Sequence, residues 1–337
     1  MLFDTPLTRL LAHRIERHDN RLLGTQRTMG LARGFNRVKN RRQVRTRDEL
    51  FPRLDDLMRE NGAPKTPRIT LEDGYFIDRS GSLPHLDRMI EDAQTIIAER
   101  GGVVRAGGVR QHFQQILTDE HVARFPSILD FATSSDVLQS VIGYLGFLPT
   151  LSAAKPLGIR LAESRQDFIP DWDGVYRASQ LFHSDYHDCP MVYVIVCLRD
   201  VTPRCGPFSF LPLAASERAA AALRYHSKGR AYRVSDDEMW AVADKRDLVE
   251  FCAPKGTVLF LDSSRCFHYG SRDALDPRYL MMVAYVSVAR TDFTDLLRKE
   301  SPRPLQDPET RERRMRYPVA PGAPLLRRLV LDREYAG

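Results

Sequence analysis

The sequence contains no hydrophobic run long enough to cross a membrane as a helix. Its longest apolar runs, Met191–Leu198 and Tyr279–Val288, have the length of buried β-strands. The first residues, Met1–His18, carry charges throughout and lack the apolar centre of a secretory signal. We therefore expect a cytoplasmic protein.

Cysteine is also scarce, and internal repeats and low-complexity segments are absent. The five cysteines are Cys189, Cys197, Cys205, Cys252 and Cys266. No two of them form a C-x-x-C pair, and an odd number without a framework spacing fits reduced thiols in a cytoplasmic protein. The missing repeats argue against solenoids and propellers. With 337 residues and 43% hydrophobic content, the chain can bury a sizeable core.

Positive charge is concentrated near the N terminus. Residues 1–60 contain 14 Lys and Arg and 8 Asp and Glu, so the whole net charge of +6 resides there. Arg21–Arg47 holds nine basic residues and no acidic one. Such a segment can bind nucleic acid, an anionic membrane surface or an acidic partner. Because neither aromatic interleaving nor a nucleic-acid module accompanies the charge, we favour a solvated, partly irregular extension that packs on the domain through aliphatic stems.

Helical patterns dominate the first half of the chain. Thr5 and Pro6 predict a helix start, with threonine as the cap and proline at the first helical position. Apolar spacing predicts further helices, over Arg47–Glu60, Pro84–Glu99, Val109–Leu117 and Phe125–Leu145.

Short strand-like segments dominate after about Leu157. They are rich in Val, Tyr, Phe and Ile and are bounded by Gly, Pro or Asp, as in "MVYVIVCLRDV" and "RYLMMVAYVSVA". One alanine-rich helix, Ala214–Tyr225, lies among them. Many short strands without regular intervening helices predict a mainly-β sandwich or jelly roll with a helical cover.

Four ionisable residues crowd the start of one predicted strand: His183, Asp185, His187 and Asp188. Residues i and i+2 of a strand share a face, so His183 and Asp185 stand side by side. One further histidine would complete a 2-His-1-carboxylate set suited to Fe(II). His268, which follows the apolar strand Thr257–Leu261, is the candidate. A polar turn leading into a sheet is the simpler alternative.

The sequence gives less reason to regard the neighbouring residues as metal ligands. His187 stands at i+4 from His183, the spacing of helical zinc sites, but the glutamate of that motif is absent. We interpret His187 as lying near the metal or its entrance, or equally as a surface histidine in a turn. Asp188 is interpreted as a turn acid. Cys189 and Cys266 are interpreted as small buried residues rather than metal ligands.

Taken in order, four segments resemble the phytanoyl-CoA dioxygenase-like group of Fe(II)/2-oxoglutarate oxygenases. They are "LFHSDYHD", "VYVIVCLRDVTPRCGPFSFLP", "KGTVLFLDSSRCFHYGSR" and "PRYLMMVAYVS". The resemblance begins at "GYFIDRS" and covers about Gly74–Arg290. It implies a double-stranded β-helix, a cupin-like jelly roll with its core at about 155–290. Residues 1–73 and 291–337 would then be a basic helical N-terminal extension and a C-terminal extension.

The resemblance also implies roles for individual residues. His183, Asp185 and His268 fall on the iron ligands, and Gly206–Pro207 matches a turn of the family. Arg278 falls near the arginine that holds the distal carboxylate of 2-oxoglutarate. Related halogenases lack the carboxylate ligand, so Asp185 favours hydroxylation, desaturation or ring chemistry.

A second arginine competes for the 2-oxoglutarate role. Arg272 lies in a polar loop, where Asp273 and Asp276 are its expected partners, whereas Arg278 opens a strand and is expected to point into the barrel. We therefore assign the distal carboxylate to Arg278. In some oxygenases of this class serine stands two positions after this arginine; this chain has Leu280 there, so the second anchor of the co-substrate stays open.

The implied function is an Fe(II)/2-oxoglutarate-dependent hydroxylase that acts on an unactivated C–H bond of a small molecule and releases succinate and CO2. The family's turn after "LP" is replaced by Leu213–Ala215, so the segment to about Phe251 is expected to be a substrate-specific lid. One alternative is a non-catalytic cupin-like or β-sandwich binding module whose basic arm binds an anionic partner. Another is a cupin-like protein with a different metal.

Overall fold

The computed structural model describes residues 23–99, 112–152, 158–166, 173–293 and 317–336. The strands within these ranges are β1 Tyr75–Asp78, β2 Phe113–Gln115, β3 Thr150–Leu151, β4 Ile159–Ser164, β5 Val192–Cys197, β6 Ser209–Phe210, β7 Val249–Glu250, β8 Val258–Leu261, β9 His268–Tyr269 and β10 Arg278–Val286. The α-helices are α1 Thr25–Lys39, α2 Arg41–Leu50, α3 Leu54–Glu60, α4 Leu86–Glu99, α5 Asp119–Arg124, α6 Ser127–Ala132, α7 Ser135–Leu145, α8 Leu213–Ala222, α9 Asp236–Trp240 and α10 Leu325–Leu331. No helix in this part of the chain is long and apolar enough to span a membrane.

The strands form two antiparallel sheets. The large sheet has the order β1-β8-β5-β10-β4-β2, with β3 also paired to β10. The small sheet has the order β7-β6-β9, and a bridge from His183 to His268 adds one more segment beside β9. From β4 to β10, the chain passes back and forth between the sheets, with β6 and β7 together in the small one. This winding is that of a double-stranded β-helix, so the predicted fold class is confirmed.

The central strands are buried on both faces, which explains their unbroken apolar runs. Along β10, Met281 and Val283 belong to a cluster on the helix-covered face, whereas Leu280 and Ala284 belong to a cluster between the two sheets. The same alternation runs along β5. Consecutive apolar residues are therefore required, because each face of the large sheet meets its own core. We call the face between the sheets the inner face.

Helices cover the outer face of the large sheet. Met89 of α4 and Val141 of α7 are fully buried in the same hydrophobic cluster as the outward-facing residues of β5 and β10. Leu57 of α3 and Leu329 of α10 join this cluster. Segments before β1 and after β10 thus share a core with the sheet, and the domain boundaries at 73/74 and 290/291 remain predictions.

The helices over Pro84–Glu99 and Phe125–Leu145 are confirmed, the second as two helices. Ser134 separates α6 from α7, because its side chain accepts a hydrogen bond from the Val137 backbone N–H and caps the new helix. The helix predicted over Arg47–Glu60 is divided by a 3-10 turn at Phe51–Arg53. The helix predicted to begin at Thr5 lies outside the described residues.

The helix predicted over Val109–Leu117 is wrong where the structure describes it. Phe113–Gln115 is strand β2, which pairs with β4, and the Ile116 N–H donates to the Leu161 carbonyl at 2.8 Å. Pairing with an existing sheet edge satisfies these backbone groups and overrides the local helical spacing.

The basic segment is helical rather than partly irregular, and its arginine head groups make specific contacts. Arg33 of α1 forms an ion pair with the buried carboxylate of Asp188 at 2.7 Å. Arg47 of α2 is buried and donates to the Leu329 carbonyl at the end of α10, also at 2.7 Å. The predicted packing on the domain is confirmed for these residues, although head groups as well as aliphatic stems take part.

Candidate metal centre

Three predicted site residues come together on the inner side of the small sheet. His183, Asp185 and His268 each offer one ligand atom, and these atoms lie within 4.8 Å of one another. His183 and His268 face each other across an antiparallel bridge, with ring centroids 4.4 Å apart. The Asp185 N–H donates to the Ser263 carbonyl at 2.8 Å, which fixes the third residue against the turn after β8.

Hydrogen bonds to backbone carbonyls set the same tautomer in the two histidines. His183 Nδ1 lies 2.8 Å from the Leu181 carbonyl oxygen, and His268 Nδ1 lies 3.0 Å from the Cys266 carbonyl oxygen. A carbonyl oxygen can only accept, so each Nδ1 carries the proton and each Nε2 is the nitrogen that carries the lone pair. His268 Nε2 lies 3.7 Å from the Asp185 carboxylate, a separation suited to two ligands of one ion.

The electrostatics favour the protonation states that bind metal. Burial lowers the pKa of His268, against the opposing effect of Asp185. Burial raises the pKa of Asp185, but His268, His187, the Ser263 hydrogen bond and Arg160 together outweigh that effect and lower its pKa overall. At neutral pH the site therefore presents a neutral imidazole at His268 beside an ionised carboxylate. Two imidazoles and one carboxylate on one face are the ligands of non-haem Fe(II) sites with open coordination positions.

Arg278 lies on the inner face, as predicted, and lacks a carboxylate partner within the described residues. The side chain is buried, and its Nη1 donates to the Gly206 carbonyl, while Nη2 lies 3.3 Å from Ser164 Oγ. Its Nε is buried without a hydrogen-bond partner. Burial lowers the pKa of Arg278 to about 10, so the group remains charged at neutral pH. A buried cation with an unused donor is suited to an anionic ligand.

Gly206 makes this arrangement possible. It has a φ of +58°, and a Cβ there would lie 2.2 Å from the Arg272 carbonyl oxygen. Glycine is therefore required at the turn that presents a carbonyl to Arg278.

Arg272 is placed differently from the prediction. Its guanidinium pairs with both carboxylate oxygens of Asp236, each at 2.9 Å, and stacks 3.6 Å from the centre of the Tyr269 ring. Its side chain is only 10% exposed, so it is not a solvated loop charge. The partners expected for Arg272 make other contacts. Asp273 accepts a hydrogen bond from Tyr176, and Asp276 accepts one from Arg204.

His187 lies beside the centre without joining it. Its Nδ1 is 2.8 Å from the Asp292 carboxylate, and its ring stacks on Tyr186. Asp188 lies in a bend, in keeping with its interpretation as a turn acid, but it is also fully buried and accepts hydrogen bonds from Arg33 and from the Ser287 N–H. The segment that follows Asp185 thus anchors helix α1.

The cysteines near the triad are not among its ligand atoms. Within the described residues, the group of potential metal ligands contains only the two histidines and Asp185. Cys266 is buried, and burial raises its pKa well above the ordinary value, so its thiol stays protonated. Cys189 is partly buried, and burial raises its pKa as well.

The predicted lid contains helix α8 over a third hydrophobic cluster. Ala219 on α8 packs there with Phe182, Phe267 and Met239. A cavity of about 520 Å³ opens beside Asp185, between the end of α8 and the first turn of α1, with Tyr186 and Tyr232 in its walls.

Two arginines near the triad were missed by the sequence analysis. Arg160 of β4 donates from Nη2 to the Tyr193 hydroxyl at 3.0 Å, and Arg233 lies beside His183 on the segment bridged to Phe182. Burial is the largest cause of the lowered pKa of His268, and Asp185 opposes it. The positive charges of Arg233 and Arg160 lower this pKa further. A charged residue at an inner-face position of the strand "IRLAES" was the available signal for Arg160.

The fold and the triad together define a double-stranded β-helix with a 2-His-1-carboxylate site. No family model matches the chain, and no curated protein matches it in sequence. Membership of the phytanoyl-CoA dioxygenase-like group therefore remains a prediction.

Several solved structures are similar to this one. EctD from S. alaskensis, with 2-oxoglutarate and 5-hydroxyectoine, is 14% identical with a TM-score of 0.45, over 68% of this chain and 80% of that chain. The epimerase SnoN, in complex with Fe3+, alpha ketoglutarate and nogalamycin RO, is 14% identical with a TM-score of 0.45, over 76% and 93%. The carbocyclase SnoK from nogalamycin biosynthesis is 16% identical with a TM-score of 0.43, over 64% and 80%.

Proposed function

We propose that this chain is an Fe(II)/2-oxoglutarate-dependent oxygenase that hydroxylates an unactivated C–H bond of a small molecule. The observation that carries the proposal is the triad of His183, Asp185 and His268, whose ligand atoms lie within 4.8 Å of one another. Arg278 on the same inner face, which has no carboxylate partner among the described residues, supports the choice of a dicarboxylate co-substrate.

Fe(II) would be held by Nε2 of His183, Nε2 of His268 and one oxygen of Asp185. The residues fit this ion, because two neutral imidazoles and a carboxylate leave adjacent positions open for other ligands. When bound, the metal supplies dioxygen activation, coupled to the conversion of 2-oxoglutarate into succinate and CO2.

The chain's own residues supply ligand orientation and charge. The Leu181 and Cys266 carbonyls hold the imidazoles with Nε2 directed at the metal position, as outer hydrogen bonds commonly do for metal-binding histidines. Arg278 would bind the distal carboxylate of 2-oxoglutarate through its fork of N–H donors. Asp185 would supply the carboxylate ligand that related halogenases lack, which favours hydroxylation, desaturation or ring chemistry over halogenation.

The non-catalytic alternative needs the basic segment to be available for an anionic partner. Arg33 and Arg47 are engaged with the body of the protein, which counts against it, whereas other basic residues of the segment, such as Arg37 and Arg41, are exposed. The cytoplasmic location stays a prediction.

The test is 2-oxoglutarate turnover by the purified protein with Fe(II). Succinate formation that requires both Fe(II) and 2-oxoglutarate is expected even without added substrate, at a slow rate. His268→Ala should abolish it, whereas His187→Ala, which removes a histidine outside the triad, should retain it. Succinate formation that is equal in the His268 variant and the unaltered protein would overturn the proposal.

A further inference from the structure

The inner face carries a second cation, Arg160, close to the metal centre. In the register of β4 and β10, Arg160 lies opposite Met282, and its Nη2 lies 3.7 Å from the Met282 sulfur. Its guanidinium also contacts Tyr193, whose side chain belongs to the cluster between the sheets. The Nε of Arg160 is buried and has no hydrogen-bond partner. Within the described residues, no carboxylate forms an ion pair with it.

A third cation, Arg233, approaches from the opposite sheet. Phe182 and Val234 exchange both backbone hydrogen bonds, at 3.1 and 2.9 Å, so the next antiparallel pair is His183 with Arg233. Directly opposed residues place their side chains on the same face, and Arg233 therefore stands beside a proposed iron ligand. One of its terminal nitrogens, Nη1, is buried without a partner, and no described carboxylate pairs with it.

Among the residues that the structure describes, the acidic side chains nearest in sequence or space to these arginines are engaged elsewhere. Glu163 lies on the opposite face of β4 from Arg160 and accepts a hydrogen bond from the Tyr279 hydroxyl. Asp236 pairs with Arg272, and Asp262 pairs with Arg265. Uncompensated guanidinium groups in a partly buried site are unfavourable unless a ligand supplies the counter-charge.

In the proposed active complex, the negative charges are balanced without these two arginines. Fe(II) and Arg278 together balance Asp185 and the two carboxylates of 2-oxoglutarate. The positive charges of Arg160 and Arg233 then have no counterpart in the part of the chain that the structure describes. An anion of the substrate would supply it, and guanidinium groups bind carboxylates and phosphates with directed N–H donors.

We infer that the substrate is a small molecule bearing an anionic group, a carboxylate or a phosphate, which Arg160 and Arg233 bind beside the metal. This inference rests on the proposed function and specifies its substrate class. The two arginines lie on facing sheets, so an anion between them would place the rest of the substrate close to the open metal positions.

The test uses the full chain loaded with Mn(II) and N-oxalylglycine, a 2-oxoglutarate analogue that fills the co-substrate site without turnover. Mn(II) speeds the magnetic relaxation of protons that bind near it. The probes are the methyl protons of acetate and of acetamide, which share a shape and differ in charge. We expect Mn(II)-dependent relaxation of acetate to exceed that of acetamide by about tenfold, a factor typical of a hydrogen bond between charged groups.

Four variants assign the effect to the two arginines. Arg160→Gln and Arg233→Gln should each remove most of the acetate excess, and Arg160→Lys should retain part of it because the charge remains. Arg246→Gln, which removes an exposed arginine paired with Asp244, should change nothing. Because the two arginines lie on different sheets, Arg233→Gln carries the test if Arg160→Gln does not fold.

The possible failures are distinguishable. Equal relaxation of acetate and acetamide in protein that binds Mn(II) and N-oxalylglycine would overturn the inference and leave the proposed function standing. An acetate excess that persists in both glutamine variants would also overturn it, since acetate would then bind the metal itself. Weaker N-oxalylglycine binding by Arg160→Gln would assign that residue to the co-substrate and overturn its substrate role. Absence of Mn(II) binding would refute the proposed function, and the inference with it.

Discussion

His183 and His268 lie opposite each other on antiparallel segments and exchange backbone hydrogen bonds of 3.0 and 2.9 Å. This backbone pairing, rather than the conformation of a loop, sets the distance between the two imidazoles. Asp185 follows His183 by two residues and completes the set of ligands. Residues far apart in sequence thus form one rigid centre.

The first prediction concerns the ligands. Replacing His183, Asp185 or His268 by alanine should remove most bound Fe(II), because two remaining ligands hold the ion weakly. The loss of affinity should exceed the roughly 10–100-fold typical of losing an outer hydrogen-bond partner. His187→Ala should retain iron. Metal analysis after gel filtration measures this, and iron retained without His268 but lost without His187 would show that the wrong histidine was assigned.

The second prediction concerns pH. Because burial lowers the pKa of His268, protons should compete with the metal at this residue only below about 6.5, the ordinary histidine value. Mn(II) affinity should therefore stay nearly constant from pH 8 to 7 and fall below about 6.5. In the metal-free protein, folded His268 binds protons less readily than the unfolded chain, so its contribution to stability is lost as the pH falls below that value. A tenfold fall in affinity between pH 8 and 7 would contradict this account.

The third prediction concerns the basic segment. Arg33→Ala should lower the free energy of unfolding by about 1–3 kcal/mol, because it leaves the buried Asp188 carboxylate without its cation. This figure is below that of a fully buried pair, since Arg33 is 35% exposed. Arg37→Ala, an exposed arginine on the same helix, is the matched control. Urea unfolding provides the measurement. Equal stability of the two variants, or salt-dependent binding of the unaltered protein to nucleic acid or anionic vesicles, would contradict the structural role.

The fourth prediction concerns the lid. Backbone amides from Leu213 to Phe251 should exchange with deuterium faster than those of β5 in the free protein. They should slow when Fe(II), 2-oxoglutarate and substrate bind, as lids do. Hydrogen-exchange mass spectrometry measures both states. Protection equal to that of β5 in the free protein would show that this segment is a fixed part of the wall.

Much of the fold and the triad could be predicted, because the signals were local or came in order along the chain. The doubly buried strands gave unbroken apolar runs at Met191–Leu198 and Tyr279–Val288. His183 and Asp185 share a strand face by spacing alone, and His268 was a candidate because it follows the apolar strand Thr257–Leu261, a choice that the family resemblance supported.

The remaining features depend on contacts between distant residues. Strand β2 forms because an edge of β4 is available, which no local pattern of Phe113–Gln115 reveals. Asp188 is buried because Arg33, 155 positions earlier, reaches it. Arg233 stands beside the triad only through the bridge of its neighbour to Phe182. Sequence spacing cannot show such pairings.

The fifth prediction concerns 2-oxoglutarate. Arg278→Ala should weaken its binding by at least about tenfold while Fe(II) binding stays near normal, because a desolvated charge pair loses one member. Arg272→Ala removes an arginine whose carboxylate partner is Asp236, so it should lower stability and leave 2-oxoglutarate affinity nearly unchanged. A large loss with Arg272→Ala and none with Arg278→Ala would transfer the role.

The most direct test is an anaerobic titration of the Fe(II)-loaded protein with 2-oxoglutarate, followed by the metal-to-ligand charge-transfer absorption of the complex. The account predicts a saturable band in the unaltered protein, no band in His268→Ala, and a band in Arg278→Ala that requires at least about ten times more 2-oxoglutarate. Absence of the band from unaltered protein that has bound Fe(II) would contradict the account, because 2-oxoglutarate would not be a ligand of this metal.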